Sequence, residues 1–75
     1  MSTTPRYQQI ATILRQRIES GQLAAGEPVP SEPRLVAEFA VARHTVRAAI
    51  ALLRAEGLVQ TVPGLGTYVK GPRPG

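Results

Sequence analysis

Apolar side chains recur along the first quarter of this chain at steps of three and four residues. Tyr7, Ile10, Leu14 and Ile18 follow that spacing, which lines one face of an α-helix. Arg6, Arg15, Arg17 and Glu19 fall largely off the stripe. The pattern predicts an amphipathic helix from Pro5 to about Ser20 with its apolar face in a core. Thr4 is the expected cap and Pro5 the first helical residue, where a missing N–H costs no hydrogen bond. Gly21 suits a left-handed stop, after which Leu23 can fold back over the last turn. Residues 24–30, Ala-Ala-Gly-Glu-Pro-Val-Pro, form a turn-rich connection. Between its two prolines only a very short extended segment fits, at Val29.

Ser31 then has the place of an N-cap, Glu32 in the first turn complements the helix dipole, and Pro33 is still early enough to be tolerated. A short helix follows to about Phe39, burying Leu35, Val36 and Phe39; Pro30 and Leu35 have the spacing of a hydrophobic staple. After Ala40 and Val41 the chain turns into a third helix, from about Ala42 to Glu56. Its buried stripe is Val46, Ala49, Ile50 and Leu53, and Gly57 ends it. Leu58–Val62 and Thr67–Val69 are β-branched and apolar, joined through Pro63-Gly64-Leu65-Gly66 as a hairpin. Gly71–Gly75 carries no packing residues and reads as a linker or disordered tail. Residues 1–70 are thus one predicted domain, mainly α with a small β-hairpin. The order is helix, helix, short turn, helix, hairpin. This is a three-helix winged helix-turn-helix, an architecture that docks on DNA.

Winding the third helix at roughly 100° per residue separates its two faces. Opposite the buried stripe lie His44, Ala48, Ala51 and Ala55, with Arg43, Arg47 and Arg54 along one edge. No acid of this helix interrupts that surface before Glu56. Small residues allow close approach to a major groove and can touch thymine methyls. Arginine forks reach guanine O6 and N7 or phosphates. A solvated helix of good propensity would also carry arginines and alanines, and only the turn before it and the glycine-rich hairpin after it tip the balance towards DNA.

Composition narrows the partners further. The chain has 75 residues, nine Lys+Arg against five Asp+Glu, and a formal net charge of +4, a balance that favours polyanions. The absence of cysteine excludes disulfides and thiolate metal sites. No apolar run approaches the roughly 20 residues that span a bilayer, and the N-terminal residues lack the apolar core of a signal peptide. A soluble, cytoplasmic protein is expected. His44 is the only histidine and cannot by itself make a metal site or a triad. Gly64-x-Gly66 lacks the third glycine of a dinucleotide loop. Glu32 and Glu38 read as capping or solvated carboxylates. No catalytic residue, cofactor or metal is expected, and the protein is expected not to be an enzyme.

At this point the residues match a known pattern. Pro30-Ser31-Glu32, Leu35, Val41-Ala42-Arg43-His44-Thr45-Val46-Arg47, Leu53-Arg54-Ala55-Glu56-Gly57-Leu58-Val59 and Gly64-Leu65-Gly66-Thr67-Tyr68-Val69 together resemble the N-terminal domain of GntR-family transcription regulators. Tyr7-Gln8-Gln9-Ile10, Gly21-Gln22-Leu23 and Gly26 look like that family's opening helix and turn, so the resemblance runs over residues 6–69. It implies sequence-specific binding of double-stranded DNA at a pseudo-palindromic operator, more often in repression. The third helix would lie in the major groove and the wing at the minor groove. It also implies a homodimer on DNA in the full-length protein, and a small-molecule effector bound by a C-terminal domain absent from these 75 residues. By position, Arg43 and Arg47 would contact bases or phosphates, Thr45 would add a contact, and Gly64 would let the wing tip approach the minor groove. His44 joins them on the exposed face, giving Arg43, His44, Thr45, Arg47 and Gly64 as the expected DNA-binding set.

Three positions depart from the family pattern. Pro33 stands where an arginine often follows Ser-Glu; Arg34 is next to it but turned by roughly 100° on a helix, so the role is not transferred to it. Ala42 replaces the usual serine at the start of the third helix, and Leu65 occupies a wing position where a cation is frequent. Two other functions compete. A winged-helix protein-interaction module without DNA reading requires an exposed apolar patch. Binding to anionic membrane through the first helix would need apolar residues that the core already uses.

Overall fold

The computed structural model describes residues 3–70; the tail expected at Gly71–Gly75 lies outside them. Three helices are followed by a hairpin: α1 (Arg6–Glu19), α2 (Glu32–Phe39), α3 (Arg43–Ala55), β1 (Val59–Val62) and β2 (Gly66–Val69). The expected three-helix winged helix-turn-helix is what the chain forms.

The apolar stripes meet where their spacing requires. Ile10 and Leu14 of α1 are fully buried against α3, whose Val46, Ala49 and Leu53 are equally inaccessible. Leu35 and Phe39 of α2 close the core from one side, with Val59 and Val69 of the hairpin beneath. Tyr7, Ile18, Val36 and Ile50 are only partly buried at its margin, whereas Ala11, off the stripe read from sequence, is fully buried. Among the described residues no buried side-chain N or O atom lacks a hydrogen-bond partner.

The start of α1 corrects the sequence reading. Pro5, with φ −55° and ψ 146°, is the N-cap and stays extended; no side chain caps the helix. The Pro5 carbonyl accepts from the backbone N–H groups of Gln8 and Gln9. Thr4 contributes only its carbonyl, which accepts from Gln9 Nε2 at 2.9 Å. The cap of α2 is as read: the Ser31 side chain accepts from the Arg34 backbone N–H. Gly21 and Gly57 end their helices at positive φ, as expected. Between α2 and α3 the turn is made by Ala40 in the left-handed conformation, φ 53°, the only described residue other than glycine with positive φ.

The wing is an antiparallel pair in the register Val59↔Val69 to Val62↔Gly66, so Leu58 precedes the strand and Gly66 begins the second. At its tip the Leu65 N–H donates to the Val62 carbonyl at 3.0 Å, with Pro63 and Gly64 between them and Gly64 at φ 79°. Proline second and a left-handed glycine third are the requirements of a type II turn. The other edge of β2 carries the segment around Val29. Val29 N–H donates to Thr67 O at 2.8 Å, Gly26 N–H to Val69 O at 2.9 Å, and Val69 N–H to Glu27 O at 2.9 Å. Pro28 sits opposite Tyr68 between these bonds, a place where its missing N–H is not needed. The short extended segment therefore fastens the wing to the linker ahead of α2.

Candidate nucleic-acid interface

Two ion pairs fix the helical scaffold from behind. Arg15 of α1 grips Glu56, just past α3, in a bidentate pair at 2.9 and 2.8 Å. Arg17 of α1 pairs with Glu38 of α2 and stacks 5.7 Å from the centre of the Phe39 ring. Hydrogen bonding to these arginines holds both carboxylates below their usual pKa and raises both guanidinium values. Two of the five acids are thereby spent on the side away from the exposed face of α3. Glu27 is used locally, accepting from the Ala24 N–H at 2.7 Å.

The outward face of α3 is built as its periodicity requires. Arg43 and His44 are exposed on the first turn, Thr45 is half-buried, and Arg47 is exposed one turn on. The Arg43 and Arg47 side chains keep 66% and 64% of their surface accessible. Both are available to a partner. Ala51 and Ala55 are exposed, while Ala48 is half-buried. Ala42 is the N-cap with no side-chain bond, so the first-turn N–H groups add positive potential at the end where these residues cluster.

A groove of about 860 Å³ runs between the start of α2, the side of α3 and the wing tip. Arg47 and Arg54 line it from α3, Glu32 and Arg34 from α2, and Leu65 and Gly66 from the wing. Arg34, set aside on helical geometry, thus does border the same depression as Arg47. Arg54 donates to Thr61 Oγ1 of β1 at 2.7 Å, tying α3 to the wing. Gly64 is exposed at the tip, apart from the α3 cluster, and a Cβ built there would meet nothing within 4 Å. Leu65 is the one large hydrophobic exposed among the described residues, at 72%.

Glu32, read from the sequence as a capping or solvated carboxylate of α2, also reaches α3. One carboxylate oxygen lies 3.0 Å from Arg43 Nε, and the other lies 2.8 Å from Arg47 Nε. Arg47 Nη2 adds a weaker bond at 3.3 Å. The hydrogen bonds Arg47 donates to Glu32 raise its pKa above its usual value. The exposed face of α3 carries no acid of its own, and one arrives from the neighbouring helix. The only available signal was the Ser-Glu cap sequence itself, which explained the glutamate without α3.

Comparison with known proteins agrees with this geometry. Residues 6–69 match the family of bacterial regulatory proteins described as the gntR family. The mannosyl-D-glycerate transport/metabolism system repressor MngR of Escherichia coli K12 is 41% identical over 73 residues, covering 97% of this chain and 30% of that protein. The HTH-type transcriptional repressor NagR of Bacillus subtilis 168 is 39% identical over 72 residues, covering 96% of this chain and 30% of its own length. The chain therefore spans about a third of the length of these curated relatives. Among solved structures, the AraR DNA-binding domain in complex with operator ORR3 superposes with a TM-score of 0.86 at 35% identity, covering 91% of this chain and 82% of that one. A GntR family transcriptional regulator from Listeria monocytogenes gives a TM-score of 0.87 at 28% identity, covering 96% of this chain and 63% of that one.

Proposed function

This chain belongs to the gntR family of bacterial regulatory proteins as a winged-helix DNA-binding domain, and on that footing we propose that it reads a specific operator through α3. Arg43 and Arg47 contact bases or phosphates in the major groove, with His44 and Thr45 beside them, while Gly64 brings the wing tip to the minor groove. Phosphate contacts set the register and base contacts specify the sequence. The operator is pseudo-palindromic and bound by a homodimer of the full-length protein. A separate C-terminal domain takes the small-molecule effector, and the outcome is repression in the cytoplasm. The protein works without catalysis or a cofactor.

The observation that carries this reading is the placement of the two arginines. They stand at the N-terminal end of α3, exposed, and Arg47 shares a groove with the wing tip. Burial inside the molecule, or a position on the far side from the wing, would have removed them as readers. A protein-docking module needs an exposed apolar patch, and Leu65 alone does not make one.

The test is selection of bound duplexes from a random pool, followed by titration of the selected site and of random DNA across a salt series. The logarithm of the affinity should fall with log salt at roughly 0.9 per phosphate neutralised. Arg43→Ala should weaken binding to the selected site by about 1–3 kcal/mol and relax specificity at one base pair. Equal affinity for selected and random duplexes at every salt concentration overturns the reading.

A further inference from the structure

We propose that Glu32 is a positioning residue, an internal counter-ion that holds Arg43 and Arg47 together and thereby sets how far the domain discriminates its site from bulk DNA. The inference rests on the reading that these two arginines face DNA.

The geometry is specific. Glu32 meets each guanidinium on its Nε side, Arg43 as an ion pair at 3.0 Å and Arg47 through hydrogen bonds at 2.8 Å from Nε and 3.3 Å from Nη2. A guanidinium carries five N–H donors in a fixed plane. A grip from the Nε side leaves the end-on pair of Nη donors free, the pair that fits guanine O6 and N7. One carboxylate therefore orients two long, flexible side chains without using the edge that reads a base. Of the other four acids, Glu38 and Glu56 are held by α1 and Glu27 accepts from the backbone of Ala24, while Glu19 is the last residue of α1.

The charge has a second consequence. Two cations and one anion leave a net of one positive charge where Arg43 and Arg47 alone would present two. Random DNA is held chiefly at its flanking phosphates, and an arginine that swings out of the Glu32-held orientation to reach one gives up its Glu32 contact. The freed carboxylate would then face the polyanion. On a duplex with guanine in reach, the arginines bind end-on and keep Glu32. The counter-ion thus penalises phosphate-only binding more than base reading. Each exposed pair is weak, yet two pairs lost together amount to roughly a tenfold change in preference.

The experiment compares the 75-residue protein with Glu32→Gln, which keeps shape and removes charge, and with Glu32→Asp, which keeps charge but is one methylene shorter. Each is titrated with the selected site and with a random duplex over a salt series, and each is melted to confirm the fold. In Glu32→Gln, affinity for random DNA should rise several-fold, with a salt slope steeper by about 0.9. The preference for the selected site should fall roughly tenfold. Glu32→Asp should keep the wild-type salt slope and lose part of the preference. Adding Arg47→Ala to Glu32→Gln should cost less preference than it does in the wild type. An unchanged preference and salt slope in Glu32→Gln, with the wild type still discriminating, overturns this inference alone. A wild type that does not discriminate overturns the operator reading, and this inference with it.

Discussion

Ala42→Ser supplies a cap that α3 lacks, and the protein contains its own template for the result. Ala42 has φ −71° and ψ 156° with no side-chain hydrogen bond. Ser31, at the same position of α2, has φ −62° and ψ 158°, and its Oγ accepts from the Arg34 N–H at 3.4 Å. A serine at 42 meets nearly the same backbone, so its Oγ would point at the Thr45 N–H. That donor already has a short-range bond to the Ala42 carbonyl at 3.1 Å, which places the gain near the middle of the range for a cap, about 1 kcal/mol. For a domain this small, about 1 kcal/mol raises Tm by roughly 4–8 °C. Ser31→Ala should lower Tm by a similar amount. The assay is thermal unfolding followed by circular dichroism at fixed protein concentration. A Tm of Ala42→Ser equal to that of the wild type, while Ser31→Ala falls as expected, would refute the account. It would mean that the α3 terminus is already satisfied or does not limit stability.

Three further outcomes follow from the fold. Ala40→Gly should stabilise, because an L-residue in the left-handed region costs about 1–2 kcal/mol and the added unfolded-state entropy of glycine takes back about 0.4–1 kcal/mol; urea unfolding should show a higher midpoint at unchanged m, and a lower midpoint counts against strain at φ 53°. Leu53→Ala empties a fully buried position on α3 and should cost about 2–5 kcal/mol, enough to leave much of so small a domain unfolded in a denaturant titration; a loss under about 1 kcal/mol would show that the core collapses around the gap. Acid should destabilise through Glu38 and Glu56, whose folded pKa values lie below the ordinary 4.5. Their contribution is complete above the unfolded value and is lost as pH falls through the folded ones. Tm measured from pH 7 to 3 should hold steady and then drop below about 4.5, less so in Arg17→Gln; a rise on acidification would contradict the sign.

The sequence by itself determined the elements, because the signals that make them are local. The α3 stripe of Val46, Ala49 and Leu53 lies within two turns, Ser31 caps α2 through an N–H three residues on, and Pro63-Gly64 makes its turn with its own neighbours. Such features are readable without knowing what packs where. Thr4 was misread for the same local reason: a proline with helical φ does not reveal whether its ψ will join the helix, and here ψ is 146°. Arg43, His44 and Arg47 were placed on the outside by periodicity alone, and they are exposed. The tertiary structure decided which distant groups meet them. Glu32 lies 15 residues from Arg47, and Val29 reaches Thr67 across most of the domain. Exposed polar pairs leave no period in the sequence, and backbone bonds along a sheet edge leave no composition. Only packing α2 against α3, and the linker against the wing, brings a carboxylate between two arginines and fixes the hairpin beside them.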